Sequence, residues 1–288
     1  MIKVISYFKN NFINILLILP FFILCLMFLL LPAINLIKGS FTDMNGNFVG
    51  LSNYYAVVTR RYYQISIINS LNISIISSIA GLIVGLLTSY VLLRITERSK
   101  NLLLIFTNVT SNFAGIPLAF GYIILLGTNG IITMFLLKKL GIDLYQNFSL
   151  YSVTGIAIAY LYFQIPLATL LIFPSFFAIK KEWQEASLSL GASEFYFWRK
   201  VGIPILTPGI IATFVILFAN ALGAYVTPQA LTNGTFNIIT LRLAHFLTSE
   251  VNPDYNKADA LAVILGVLLV FSLVINLKMN KRSQLWQK

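Results

Sequence analysis

Residue types with catalytic or metal-binding chemistry are scarce in this sequence. Cys25 and His245 are the only cysteine and histidine among the 288 residues, so a His/Cys metal cluster cannot form within the chain. Neither a pair of acids placed for general acid–base work nor a Ser, His and Asp set for nucleophilic catalysis is recognisable. We therefore expect no catalytic residue, no metal site and no enzymatic activity in this chain.

Nucleotide-binding chemistry is missing as well. The pattern Gly-x4-Gly-Lys-Ser/Thr, whose backbone N–H groups hold nucleotide phosphates, occurs nowhere in the sequence. If the protein depends on ATP and Mg²⁺, another polypeptide must bind them. The sequence predicts no cofactor bound to this chain.

The composition is that of a protein dissolved in a lipid bilayer. Hydrophobic residues make up 58% of the chain and charged residues 10%, and the mean hydropathy is +0.85, whereas soluble domains carry about 25% charged residues. The net charge of +11 is explained by few acids and many cations near anionic lipid headgroups. We expect membrane lipid as a partner and no nucleic acid.

Six uncharged runs can each hold the roughly 20 apolar residues that cross the hydrocarbon core as a helix. Their continuous apolar character favours helices over barrel strands, which alternate. The sequence predicts an all-α polytopic membrane protein with a single integral membrane domain, 1–288. The longest runs leave a surplus at 127–137 and 228–241, which we expect to be irregular, interfacial or re-entrant. The predicted spans are about 14–37, 67–93, 102–126, 151–179, 205–227 and 259–277.

The loop charges predict the orientation. With the N-terminus inside, thirteen of the 20 Lys and Arg residues lie on the inner side, and this bias places both termini in the cytoplasm. The basic start followed by an apolar stretch is similar to a secretory signal peptide. That stretch runs well beyond the 7–15 residues of a signal-peptide core, so we expect an uncleaved first helix.

Several spans contain helix-disturbing or small residues. Gly81 and Gly85 form a small-xxx-small pair in the second span, for which ordinary tight helix packing is favoured over a specific dimer motif. A proline removes one backbone donor and bends the helix, so neighbouring groups must satisfy the freed carbonyl. Prolines interrupt the third, fourth and fifth spans at Pro117, Pro166, Pro174 and Pro208.

The most informative segment is 180–204, between the fourth and fifth spans on the predicted cytoplasmic side. Lys181–Leu190 is rich in helix formers, and Gly191 suits the left-handed residue that ends a helix. Ser193 is a natural N-cap for a second helix, which Pro204 is expected to end. The sequence thus predicts a short helical hairpin, suited to docking a soluble partner, with the alternative that it lies on the membrane surface.

This segment resembles the EAA signature of binding-protein-dependent ABC permeases, in which Glu-Ala-Ala is followed by a fixed Gly and then by Ile-x-Leu-Pro or a variant. Glu185, Ala186 and Gly191 match the pattern, while Ser187 replaces the second Ala and Ile203-Pro204 stands where Leu-Pro is usual. Neither departure removes the turn or the acid. The resemblance covers roughly residues 50–275 and implies the fold of a type I ABC importer.

Two further motifs resemble the permeases of spermidine/putrescine-type systems. They are Asn69-Ser70-Leu71-Asn72 at the start of the second span and Leu190-Gly191-Ala192-Ser193 in the hairpin. The resemblance favours a polyamine-like solute. The same branch includes permeases for ferric iron, phosphonate, thiamine and opine-like solutes, which stay open as alternatives.

The resemblance also implies partners and a mechanism. The hairpin would insert into a groove of a separate ATPase, two ATP-binding subunits would drive two permease subunits, and an extracellular solute-binding protein would deliver the solute. A different second permease is favoured, although a homodimer is possible, and the location would be the cytoplasmic membrane of a bacterium. The implied ATPase-coupling residues are Glu185, Ala186, Ser187, Gly191, Ala192, Ile203 and Pro204.

Polar residues within the spans are candidates for a translocation pathway. Such residues are expensive in hydrocarbon and often line a route, but amides and hydroxyls also bond across helices. A polyamine would need its charges met by aromatic faces or carbonyls, or by acids on a partner permease, because burying them unpaired is prohibitive. The candidates, for which packing is an equal alternative, are Asn69, Asn112, Gln164, Asn220 and Tyr225.

A rival interpretation from another class is an autonomous secondary transporter or channel. It would need its own energy-coupling ionisable groups within the spans. The predicted spans contain no carboxylate except Asp259 at the first position of the last one. The sequence therefore favours the importer subunit.

Overall fold

A computed structural model describes residues 18–248 and 255–285. Over these ranges the regular structure is helical, and the only β-type pairing is one isolated bridge between Thr42 and Phe48. Two short 3₁₀ segments, Leu144–Gln146 and Phe173–Ala178, supplement the α-helices. The predicted all-α class is confirmed.

Twelve helices within the described ranges are numbered here in chain order. Leu26–Leu30 and Trp198–Gly202 are π-helical turns within the first and ninth of them. The bounds are α1 Ile18–Ser40, α2 Ser52–Thr59, α3 Arg61–Leu92, α4 Glu97–Asn112, α5 Ile116–Leu126, α6 Ile131–Leu140, α7 Val153–Ile172, α8 Lys181–Ser189, α9 Glu194–Gly223, α10 Val226–Thr232, α11 Ile239–Thr248 and α12 Tyr255–Leu285.

Six helical segments are long and apolar enough to cross a membrane, which confirms the predicted number of spans. Four of them are α1, α3, α9 and the part of α12 up to Met279. In chain order, the third of the six segments combines α5 and α6, and the fourth is α7 with the 3₁₀ segment that follows it. At 23–32 residues, each is sufficient for a crossing.

The third predicted span, 102–126, is broken in the structure at residues 113–115. Gly115 has φ +81°, a left-handed conformation that residues with a Cβ rarely adopt. Pro117 lies in the first turn of the helix that follows, where its missing N–H is tolerated. The segment here that is long and apolar enough to cross a membrane is Ile116–Leu140, further along the chain than predicted.

The two surplus segments differ from the prediction to different degrees. For 127–137 the structure contradicts an irregular segment over most of the length, because the helix resumes at Ile131 after a tight turn in which the Gly130 N–H bonds the Gly127 carbonyl. An interfacial or re-entrant placement stays a prediction. The segment 228–241 is mixed. It contains the end of α10, a turn with Asn233 at φ +50°, and the start of α11.

The chain divides into two compact units. The first comprises Met1–Arg60 and Phe246–Ile264. Within its described part, Asn53 Nδ2 donates to the carbonyls of Ser40 (3.0 Å) and Thr42 (2.9 Å). Hydrogen bonds from Asn47, above all from its backbone N–H, lower the pKa of the Asp43 carboxyl in the loop after α1.

The second unit, Arg61–His245 with Leu265–Lys288, is built on the packing of α3 along α7. A Cβ placed on Gly81 would lie 2.9 Å from Gln164 Cβ, and one on Gly85 would lie 2.5 Å from Ala168 Cβ. Only glycine therefore allows the two backbones to approach this closely. The small-xxx-small pair packs within the chain, as the packing interpretation predicted.

Candidate functional sites at a helical hairpin and at two helix breaks

The hairpin turn is closed by backbone hydrogen bonds. The Gly191 N–H bonds the Leu188 carbonyl at 2.9 Å, and the Ala192 N–H bonds the Ser187 carbonyl at 3.1 Å, the two bonds of a Schellman motif. Gly191 has φ +83°, as the motif requires and as the sequence predicts. Three of the predicted coupling residues thus form the turn itself.

A hydroxyl begins the second arm of the hairpin. Ser193 Oγ accepts a hydrogen bond from the Tyr196 N–H at 3.2 Å, which confirms the predicted N-cap. From Glu194 the chain is helical without interruption to Gly223. The second arm of the hairpin and the fifth span are therefore one helix, α9.

The prediction that Pro204 ends the second arm is wrong. The π-helical turn Trp198–Gly202 widens α9 immediately before the proline. Pro204 then lies in the first turn of the α-helical part that follows, where a missing N–H is tolerated. Both Pro204 and Ile203 are exposed and lie on α9 beyond the hairpin turn, apart from the other predicted coupling residues.

The hairpin presents large apolar side chains that the described chain does not cover. Leu190 at the turn is 87% exposed and Phe195 is 75% exposed. Glu185 is also exposed and lies 3.7 Å from the Lys181 ammonium on the same helix. Apolar side chains exposed at the tip of a protruding hairpin indicate a contact surface. Sequence reasoning gave neither Leu190 nor Phe195 a coupling role, although both stand next to the motif.

A second candidate site lies where two helices are interrupted. The break between α4 and α5 and the break between α9 and α10 are tied by a 3.0 Å hydrogen bond from the Gly115 N–H to Thr227 Oγ1. A cavity of about 690 Å³ opens at this point. Its polar and aromatic lining consists of Ser111, Phe163, Asn220, Tyr225 and Thr227, and no lining residue is charged.

Two of the five predicted pathway residues, Asn220 and Tyr225, line this cavity together. Asn112 does not, because it is exposed at the end of α4 and its Nδ2 donates to the Asn108 carbonyl at 2.9 Å. The neighbouring Ser111 lines the cavity instead. Sequence reasoning missed Ser111 and Thr227, since hydroxyls are common in spans and nothing in the pattern distinguishes these two.

Gln164 belongs to the packing of the helices. Its side chain is fully buried, and Nε2 donates to the Leu217 carbonyl on α9 at 2.9 Å and to Ser78 Oγ on α3 at 3.5 Å. The side chain thus joins α3, α7 and α9, and it does not line the cavity. Of the two predicted alternatives, hydrogen bonding across helices holds for this residue.

Asn69 is part of a polar network around the start of α3. Its Nδ2 donates to the Asn237 carbonyl at 3.0 Å, and Asn237 Nδ2 donates to the Tyr62 carbonyl at 2.9 Å. The Arg242 guanidinium completes the network, since it donates to Asn237 Oδ1 at 2.8 Å and lies 4.6 Å from the centre of the Tyr62 ring. Asn69 is therefore hydrogen-bonded within this network, and Arg242 is buried within its own chain.

Most of the chain matches a known protein family. Residues 77–280 match the family described as the binding-protein-dependent transport system inner membrane component. The chain belongs to this family. The resemblance drawn from the hairpin motif is confirmed at that level, and six apolar helices in a member of this family make the chain a multi-pass membrane protein.

Two relatives indicate the range within the family. This transport component is 25% identical over 268 residues to the spermidine/putrescine transport system permease protein PotB of Escherichia coli, covering 90% of this chain and 96% of PotB. It is 27% identical over 265 residues to the ferric transport system permease protein FbpB of Actinobacillus pleuropneumoniae, covering 89% of this chain. The chain spans only 36% of FbpB and 39% of a Haemophilus influenzae relative of that type.

A solved structure supports the fold assignment. It is the crystal structure of a bacterial ABC transporter involved in the import of the acidic polysaccharide alginate. The similarity covers 98% of both chains with a TM-score of 0.72 at 16% sequence identity. At this identity the match shows a shared fold, and it carries no statement about the solute.

Proposed function

We propose that this chain is a permease subunit of an ABC importer, which translocates a small solute that an extracellular binding protein delivers. Separate ATPase subunits supply the energy. The observation that carries the proposal is the glycine-closed hairpin with the exposed apolar tip residues Leu190 and Phe195, in a chain of a binding-protein-dependent transport family. A protruding hairpin that continues directly into a span can pass a partner's movement into the membrane domain.

The orientation follows from charge. We place the hairpin and both termini in the cytoplasm of a bacterial cell, with the protein in its cytoplasmic membrane. Lys180 and Lys181 stand at the start of α8, and Arg94 and Arg98 flank the start of α4, so the segments on the hairpin side are rich in cations. Cation-rich loops remain on the cytoplasmic side during insertion.

ATP and Mg²⁺ belong to the partner subunits in this proposal, and this chain binds no cofactor and catalyses no reaction. The sequence contains no phosphate-binding loop. Two ATP-binding subunits would engage the hairpins of two permeases. In this chain, Ser187, Gly191 and Ala192 maintain the turn, while Glu185 and Ala186 present the surface of α8.

The solute pathway is proposed to pass the cavity at the two helix breaks. Broken helices within a membrane are tolerated where they line a cavity, and Asn220 and Tyr225 offer an amide and a phenol there. Since no lining residue is charged, a cationic solute would need its counter-charges from the second permease. We therefore favour a different chain as that second permease over a second copy of this one.

A polyamine-like solute is favoured because the similarity to PotB extends over 96% of that relative. The aromatic and carbonyl groups at the cavity can contact ammonium groups. Ferric iron is the second candidate, since FbpB is 27% identical over 89% of this chain. Measuring which ligand the associated binding protein retains, with spermidine and ferric citrate as probes, decides between the two.

Co-purification tests the proposal. A tagged chain should retain an ATPase and a second permease, and the purified assembly in lipid vesicles should hydrolyse ATP faster when the binding protein and its ligand are added. A chain that transports solute down an ion gradient without any ATPase would contradict the proposal and favour a secondary transporter.

A further inference from the structure

A charged cluster joins the start of α9 to the end of α3. The Arg94 guanidinium forms an ion pair with the Glu194 carboxylate, hydrogen-bonds the Tyr90 hydroxyl, and lies 4.6 Å from the centre of the Tyr90 ring. The Tyr90 hydroxyl also donates to Glu194 Oε1 at 3.0 Å. Two donors at and just after the end of the second span therefore hold one carboxylate at the start of the second arm of the hairpin.

Aromatic packing extends this contact to the fourth span. Trp198, one turn after Glu194, packs edge-on against Tyr90 with ring centres 5.3 Å apart, and against Phe176 at 6.2 Å. Phe176 is buried in the 3₁₀ segment that ends the fourth span. The first turns of α9 are thus attached to the ends of α3 and α7 at a single place.

The position of the cluster along the chain gives it mechanical significance. Glu194 comes three residues after Gly191, where the hairpin turns, and it begins the helix that continues through the fifth span. The ion pair itself is about half exposed, with 58% of the Arg94 side chain and 48% of the Glu194 side chain accessible. Exposed pairs contribute little to stability, so a variant that lacks this pair should remain folded.

We propose that Arg94 and Glu194 are positioning residues that fasten the second arm of the hairpin to the second span. When an ATPase displaces the hairpin, the fastened α3 and α7 move together with α9, and the cavity at the helix breaks changes its shape. This inference rests on the proposed function and deepens it, because it identifies how the coupling surface is connected to the second span, which is not adjacent to the hairpin along the chain.

A charge-swap series in the reconstituted complex tests the inference, with uptake of spermidine and of ferric citrate per ATP hydrolysed as the readout. Arg94→Ala and Glu194→Ala should each lower uptake per ATP by about fivefold or more, a typical size for coupling between sites. Basal ATP hydrolysis should remain. The double variant Arg94→Glu/Glu194→Arg should recover at least about half of the loss.

The matched control is the ion pair between Lys100 and Glu97, whose two partners both lie within α4. Lys100→Ala should leave uptake per ATP unchanged. Tyr90→Phe, which keeps the ring but removes the hydroxyl, should give a smaller loss than Arg94→Ala. In the chain alone in lipid nanodiscs, Arg94→Ala should speed amide exchange in residues 194–198 without affecting α8.

The outcomes separate the two proposals. Uptake per ATP within about twofold of wild type for Arg94→Ala, or a loss that the charge swap does not restore, would overturn the positioning role and leave the proposed function intact. A wild-type complex that retains no ATPase would overturn the proposed function and the coupling role with it.

Discussion

The hairpin and the α3–α7 interface both depend on glycine, for opposite physical reasons. Gly191 has φ +83°, and a Cβ placed on it would have no neighbour within 4 Å, so it is needed for its backbone conformation. Gly81 and Gly85 lie in regular helix, where a Cβ would collide with α7, so they are needed for the space they leave. The same residue type shapes a surface in one region and a core in the other.

This difference separates the function of the two regions. The interface is buried and joined across helices, so substitutions there should change stability first. The hairpin is exposed on most of its side chains, so substitutions there should leave the membrane domain folded and change what the hairpin contacts. The following predictions test that separation, beginning with the largest expected effect on stability.

Gly85→Leu should destabilise the protein most. Four extra heavy atoms between α3 and α7 force the helices apart, which costs roughly 2–3 kcal/mol and lowers the melting temperature by about 5–10 °C. Thermal unfolding of the detergent-solubilised chain measures this. Gly266→Leu on α12, where a Cβ meets nothing within 4 Å, is the control and should melt within about 1 °C of wild type. Equal melting of both variants would refute the space argument.

Gly191→Val should cost about 1–2 kcal/mol, because a β-branched residue is strained at positive φ. Gly46→Val is the matched control, since Gly46 has φ +82° in the loop after α1 and also has no neighbour within 4 Å. Both variants should lose similar stability, but only Gly191→Val should reduce the amount of ATPase that co-purifies. An equal reduction in both would mean that strain alone, and not the hairpin, explains the loss.

Gln164→Met tests the buried interface between the helices. It removes the donor to the Leu217 carbonyl at nearly constant volume, so stability should fall by about 1 kcal/mol. Uptake per ATP should stay at the wild-type level because the side chain does not line the cavity. A selective loss of uptake without a change in melting temperature would contradict the packing role and identify Gln164 as a pathway residue.

Asn220→Ala should have the smallest effect on stability. The side chain is exposed to the cavity, so the change in unfolding free energy should remain within about 0.5 kcal/mol. Uptake should fall, since the solute would lose a hydrogen-bonding amide. Measured beside Gln164→Met, it gives the opposite pattern, and the two variants together distinguish a pathway residue from a packing residue.

The sequence predicts most of what depends on local pattern. Six spans follow from runs of uncharged residues, and the Gly191 turn and the Ser193 cap follow from residues whose backbone preferences are strong. Pro204 shows where local rules fail. A π-helical turn lies just before it, so the proline stands in the first turn of the α-helical part that follows, and no residue preference signals that π-helical turn.

The sequence could not distinguish pathway residues from packing residues, because the same amide side chains occur in both roles. Gln164 and Asn220 are both polar residues in apolar spans, yet one joins three helices and the other faces a cavity. The difference lies in which helix face meets a neighbour, and that depends on contacts such as Gly81 with Gln164. The break at Gly115 lies within a run that is uncharged throughout, so the charge pattern did not reveal it, although Pro117 was expected to disturb the helix nearby.

Accessibility of the hairpin tip tests the central claim most directly. In a Cys25→Ser background, which removes the only native cysteine, Leu190→Cys gives a single thiol at the turn. A membrane-impermeant maleimide should label it in inside-out vesicles, and binding of the ATPase should block that labelling. Labelling from the outer face of intact cells, or labelling that the ATPase leaves unchanged, would contradict a cytoplasmic hairpin that docks the ATPase.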